Sequence, residues 1–164
     1  MFNTRESCDS ISGVRSPANT RNIVSLTSLL VGEKSEIFHS YLDAISNQNL
    51  DKLRLIIHPR AKFEYPYALQ SSVNFINGLE EIIPHLVRPH FTITFHKKKI
   101  TEVPDSNLVI AELISTEFYL KTSKSYDQHT ISLATFRENR IYYYKEFFNP
   151  ITRIEGLLDL EKDD

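Results

Sequence analysis

The succession of patterns along this chain predicts an α+β fold, with helices packed on one face of a strongly curved antiparallel sheet. Two observations carry that expectation. Apolar residues recur at helical spacing between Ser35 and Val87, and from Phe91 onward the sequence changes to long runs rich in β-branched and aromatic residues. Helices first and strands afterwards segregate into layers instead of alternating as in a parallel α/β sheet. With 164 residues, 41% apolar and 24% charged, the chain fits one domain with a sizeable core.

Residues 1–33, rich in Ser, Asn, Arg and Thr, read as a flexible arm ahead of a domain spanning 34–160. From Ser35, SEIFHSYLDAIS sets Ile37, Tyr41 and Ala44 beside Phe38, Leu42 and Ile45 behind a serine N-cap, and Asn47 to Asn49 close the helix. A second short helix, LDKLRLII, stops before Pro59. AKFEYPYA alternates as a strand as far as Pro66. NGLEEIIPHLV reads as a third helix opening at Asn77-Gly78, in which Pro84 predicts a kink or an early end. Three β-rich runs follow, FTITFHKKKITEV, NLVIAELISTEFYLKT and HTISLATFRENRIYYYKEFF, and RENR at 137–140 supplies the turn that divides the last of them. ITRIEGLLDL then offers Ile151, Ile154, Leu157 and Leu158 as a short amphipathic tail.

Charge and composition remove several function classes. A formal charge of −2 argues against a nucleic-acid surface, and Lys97-Lys98-Lys99 reads as a solvated strand end. Cys8 is the single cysteine, so neither an internal disulfide nor a cysteine metal cluster can form, and a reducing cytoplasm is the expected home. NIVSLTSLLV, residues 22–31, is too short to span a bilayer, so no membrane partner is expected. The histidines His39, His58, His85, His90, His96 and His129 are scattered without metal-ligand spacing, and neither a nucleophile elbow nor a phosphate loop is present. No metal or cofactor is expected.

The informative stretch is IYYYKEFFNP, Ile141 to Pro150. Strict alternation would place Tyr142, Tyr144, Glu146 and Phe148 on one side and Ile141, Tyr143, Lys145 and Phe147 on the other, so Glu146 shares a face with rings. A carboxyl group among rings can be poised for proton transfer, whereas the bland alternative is an edge glutamate turned to water. Glu112, flanked by Ala111 and Leu113, poses the same choice on the preceding strands. His85 recurs with Ile82 and Glu81 on its helix, close to the apolar stripe, and is either a packed histidine or the acid/base partner of Glu146. Tyr65, Tyr142 and Tyr144 are possible phenolic donors to a carbonyl or an oxyanion, although tyrosine is also a common strand residue.

The order helix, helix, FEYPYA strand, NGLEEIIPHL helix, long strands and a terminal KEFFNP resembles the SnoaL-like family of the nuclear transport factor 2-like superfamily. The resemblance covers about residues 35 to 158 and implies a cone: a bent antiparallel sheet around a deep cavity, closed by N-terminal helices. Among relatives, the phenazine-biosynthesis A/B proteins share a glycine, a helix histidine, a strand histidine and the glutamate of the ending, here Gly78, His85, His129 and Glu146. The chain departs from them at Arg60 and Pro89, where they carry Asp and Ser, so their reaction is not carried over. What the resemblance implies is a cofactor-free acid/base enzyme, of isomerase, cyclase, dehydratase or condensing type, acting on a small hydrophobic carbonyl compound of secondary metabolism. Glu146 and His85 would be catalytic, and Tyr65, Glu112, His129, Tyr142 and Tyr144 would bind substrate. The alternative is a non-catalytic binding or dimerisation module of the same fold, in which Tyr143 and Phe147 face a second copy; a homodimer is expected on either reading.

Overall fold

The computed structural model describes residues 33–69, 73–121 and 123–151. The expected arm, apart from Glu33, and the amphipathic tail, apart from Ile151, lie outside the described residues. Among the described residues, three helices, α1 (Lys34–Ser46), α2 (Leu50–Ile56) and α3 (Leu79–Leu86), accompany six strands: β1 (Ile57–Glu64), β2 (Phe75–Asn77), β3 (Phe91–Glu102), β4 (Leu108–Tyr119), β5 (Lys124–Arg137) and β6 (Arg140–Phe148). The strands form one sheet in the order β2-β1-β6-β5-β4-β3.

The expected fold class holds, with local corrections. Ser35 is not the N-cap of α1. The helix opens two residues earlier, behind Glu33, and its cap is long-range: the Ser35 N–H donates to Glu102 Oε2 at 3.3 Å and Lys34 Nζ donates to Glu102 Oε1 at 3.2 Å. A carboxylate on β3 therefore satisfies a helix-end donor that a local side chain was expected to take. Helix α2 starts on Asn49, whose side chain accepts the Lys52 N–H at 3.0 Å, and the chain turns extended at Ile57 so that Pro59 falls inside β1.

Gly78 stands before α3 with φ 85°, a left-handed conformation that a side chain would strain, and its N–H donates to the Ala61 carbonyl at 2.8 Å. Pro84 neither ends α3 nor cuts it short. The helix continues to Leu86 and closes with the Val87 N–H on the Ile83 carbonyl at 3.0 Å. Pro84 and Glu80 are both exposed, so the carbonyl that loses its donor meets water.

Two features of the sheet were not expected. The short edge strand β2 pairs antiparallel with β1, and β1 runs parallel to β6 in an otherwise antiparallel sheet. At the β5–β6 turn, Glu138 and Asn139 have φ of 52° and 53°, the paired left-handed residues of a two-residue hairpin, as RENR predicted.

The core lies between α1 and the concave side of the sheet. Ile37, Phe38, Tyr41 and Leu42 of α1 are almost fully buried against Phe63, Val109, Ala111, Ala134, Ile141 and Tyr144. Small residues at Ala111, Ser132 and Ala134 let the helix approach, and the Tyr144 ring fills the centre, 4.7 Å from Phe63 and 5.7 Å from Tyr41. Each large side chain buried here contributes about 1.5–3 kcal/mol.

Candidate active site

The concave face of the sheet ends in a cavity of about 80 Å³ beneath α1 and α3. β6 delivers Tyr144 and Glu146 to it, β4 delivers Ser115 and Glu117, α3 delivers His85, and Tyr65 enters from the residue after β1. Four of the residues singled out from the sequence, Glu146, His85, Tyr65 and Tyr144, thus line one space.

The Tyr144 hydroxyl donates to Glu146 and lies 2.9 Å from the Ser132 hydroxyl. An ionised carboxylate only accepts, so Tyr144 gives its single proton to Glu146 and Ser132 donates to the Tyr144 oxygen. Burial pushes the Tyr144 phenol well above the ordinary tyrosine range, and the adjacent Glu146 charge pushes it further. Tyr41 is raised in the same direction by burial, with smaller contributions from Tyr65 and Glu146, against a hydrogen bond to Tyr144 that lowers it. Both phenols therefore stay protonated at neutral pH and remain donors beside a carboxylate. The His85 ring lies 5.2 Å from the Tyr65 ring at 40°, placing an imidazole and a phenol on the same wall.

Three expected residues are elsewhere. Tyr142 is the extra residue of a β-bulge: Thr135 pairs with Tyr143 and Phe136 pairs with Ile141. The bulge breaks the alternation, so Ile141 and Tyr144 are both core, while Tyr142 packs edge-on against His58 at 5.2 Å and under Arg137 at 5.5 Å. Glu112 and His129 point to the convex side. There Glu112 is exposed and salt-bridged to Lys99 at 2.8 Å, and both residues border a separate groove of about 610 Å³ with Tyr67, Lys97, Ile131 and Phe147. The physical reason is parity on β4, where Val109, Ala111, Leu113 and Ser115 are the buried set and Glu112 falls between them.

The cavity also contains residues that sequence reasoning passed over: Tyr41, Arg88, Ser115 and Glu117. Glu117 shares the parity of Val109 and Ala111 and accepts the Tyr126 hydroxyl. That parity was the available signal, but Ile110 and Ile114 make the opposite face equally apolar in sequence. Among the described residues no three His, Cys, Asp or Glu side chains gather as a metal site, and no helix is long and apolar enough to cross a membrane.

Comparison with solved structures decides the fold. The chain matches a Bacillus subtilis protein with a provisional isomerase assignment at TM-score 0.69 and 25% identity, covering 76% of this chain and 92% of that one. It also matches an NTF2-like protein of Burkholderia xenovorans at TM-score 0.62 and 11% identity, over 75% of this chain and 94% of that one. The chain has the nuclear transport factor 2-like fold. Other proteins of this shape include a Mycobacterium tuberculosis epoxide hydrolase of the LEH-like kind, at TM-score 0.63 and 14% identity over 77% of this chain and 90% of that one. In sequence, an uncharacterised PhzA/B-like protein of Pseudomonas aeruginosa is 29% identical over 65% of this chain and 77% of its own length. The uncharacterised protein YesE of Bacillus subtilis is 32% identical over 56% of this chain and 64% of its own length. No family model matches the chain.

Proposed function

We propose that this NTF2-like protein is an acid/base enzyme acting on a small hydrophobic carbonyl compound, by isomerisation, cyclisation, dehydration or condensation, without a cofactor. The observation that carries the reading is Glu146, a carboxylate in a concave cavity whose hydrogen-bond donor is the buried phenol of Tyr144. In the simplest step Glu146 takes a proton from the carbon next to the carbonyl, and the electron pair of that C–H bond moves onto the carbonyl oxygen. Tyr65 or His85, on the neighbouring wall, donates to that oxyanion. Return of the proton from Glu146 to a different carbon completes an isomerisation; attack of the enolate carbon on a second carbonyl, whose π electrons move to its oxygen and take the proton back from Glu146, completes a cyclisation.

The test needs no knowledge of the natural substrate. Small ketones and 1,3-dicarbonyl compounds incubated with the protein in D₂O are followed by NMR for exchange of the proton next to the carbonyl. Glu146→Gln, which keeps the shape, slows exchange by about 10²–10⁴-fold, the usual contribution of a general base. Exchange at an undiminished rate in that variant overturns the assignment.

A second reading concerns assembly. Ile131 is 49% exposed and Tyr67 58% exposed beside Phe147, and the same convex face carries both Lys99 and Glu112. An apolar face with both signs of charge suits an isologous contact with a second copy of the chain, so we propose a homodimer through it. Sedimentation equilibrium of the wild type and of Ile131→Glu tests this: the wild type is expected as a dimer and the variant as a monomer, and a monomeric wild type removes the proposal.

A further inference from the structure

Among the described residues that line the cavity, Arg88 is the one arginine. It stands in the turn between α3 and β3, and its guanidinium is held in place from two sides. The Nε–H donates to the His85 carbonyl at 3.2 Å, and the guanidinium carbon lies 5.8 Å from the centre of the Phe91 ring. The turn is itself braced. The Phe91 N–H donates to the Arg88 carbonyl at 3.1 Å, and the Gln48 side chain donates to the Phe91 carbonyl at 2.8 Å from the end of α1.

With Nε committed to a backbone carbonyl, the terminal nitrogens of the fork remain. Among the described residues no carboxylate forms a salt bridge with them, although Glu117 and Glu146 line the same cavity. Each of those acids instead accepts a tyrosine hydroxyl, Tyr126 for Glu117 and Tyr144 for Glu146. Phe91 lies against the guanidinium, and the cavity lining also includes the apolar Leu86, Ile93 and Phe95. A fixed guanidinium in such a cavity matches one chemical group best, a planar carboxylate that takes two parallel N–H···O bonds.

We propose that the molecule taken by the cavity is a carboxylic acid and that Arg88 receives its carboxylate. The inference rests on the reading of this cavity as a small-molecule site, and it adds an orientation. The negative charge of Glu146 repels an acid group brought close to it, so the carboxylate lies against Arg88 and the rest of the molecule points toward Glu146 and Tyr144. The reacting carbon is then one remote from the acid group. Arg88 acts as a binding and specificity residue and takes no proton.

Matched acid and amide probes test the proposal without catalysis. Acetate with acetamide, and benzoate with benzamide, are titrated into ¹⁵N-labelled full-length protein while backbone and arginine Nε–H signals are followed. The acids are expected to bind at least about tenfold more tightly than the amides and to shift the Arg88 Nε–H signal. Arg88→Gln abolishes that preference while its spectrum remains that of a folded protein, and Lys99→Gln, on the convex face, leaves it unchanged. Equal binding of acid and amide, or a preference that survives Arg88→Gln, overturns the role of Arg88 while leaving the cavity as a small-molecule site. Failure of every probe to bind overturns both.

Discussion

Tyr144 and Glu146, two residues apart on β6, face the same way and are joined by a hydrogen bond from the phenol to the carboxylate. The phenol also closes the core: its ring is packed by Phe38, Tyr41 and Phe63, and its oxygen lies 2.9 Å from Ser132, which is fully buried. One side chain thus ties the packed centre of the domain to the acid at the cavity.

Replacing Tyr144 by Phe keeps the ring and removes the hydroxyl. Ser132 and Glu146 then lose a partner, and the domain is expected to lose about 1–3 kcal/mol in urea unfolding. Proton exchange on the ketone panel falls as well, because the carboxylate has lost the donor that orients it. Unchanged stability together with unchanged exchange would show that the link between core and cavity is inert.

Burial lowers the affinity of His58 for a proton, against an opposing contribution from Glu138. Its Nδ1 accepts the Arg60 N–H at 3.0 Å, so protonation there removes an acceptor. The folded value lies below the unfolded one of about 6.5, so the unfolded chain binds more protons in the interval between them. The contribution of His58 is therefore present above about pH 6.5 and is lost as the pH falls below it toward the lower folded value. Urea midpoints at pH 7.5 and pH 5 should drop more for the wild type than for His58→Asn, whose side-chain oxygen can accept the same N–H. Parallel pH dependence in the two proteins refutes this.

Glu112 and His129 border the convex groove, so they have no part in the proton transfer proposed for the concave cavity. Glu112→Gln and His129→Ala are expected to leave ketone exchange at the wild-type rate. A loss as large as that of Glu146→Gln in either variant would move the active site to the other face of the sheet.

Glu102→Ala removes the acceptor for the Ser35 N–H and the partner of Lys34 at the start of α1. The expected cost is about 1 kcal/mol, typical of losing a helix cap. Hydrogen exchange should show the faster opening at the first turn of α1, with β4 and β5 unchanged. Opening spread evenly over the domain would point instead to a core defect.

How far the site was legible depended on how regular each strand is. The turn at Glu138 and Asn139 could be read because the polar stretch RENR divides two β-rich runs, and α1 because its apolar residues keep a single period. The ending KEFFNP led to Glu146, since alternation from Tyr143 to Phe148 is unbroken. Tyr142 was misplaced because an extra residue in a bulge leaves no mark in a run of three tyrosines. Glu112 was chosen over Glu117 because both faces of β4 carry apolar residues, and only the packing of α1 decides which face is core.

Local chemistry in the sequence determined the helices, the runs that form β3, β4 and β6, the hairpin turn and the presence of an acid among rings, because each depends on residues close together in the chain. Tertiary structure alone decided the parallel pairing of β1 with β6, the capping of α1 by Glu102, and the meeting of Glu146 with Tyr144, His85, Tyr65 and Arg88. Apart from the Tyr144–Glu146 pair, which alternation along β6 already put on one face, those relations join residues tens of positions apart, and their energies exist only once the sheet has curved and α1 has covered one of its two apolar faces.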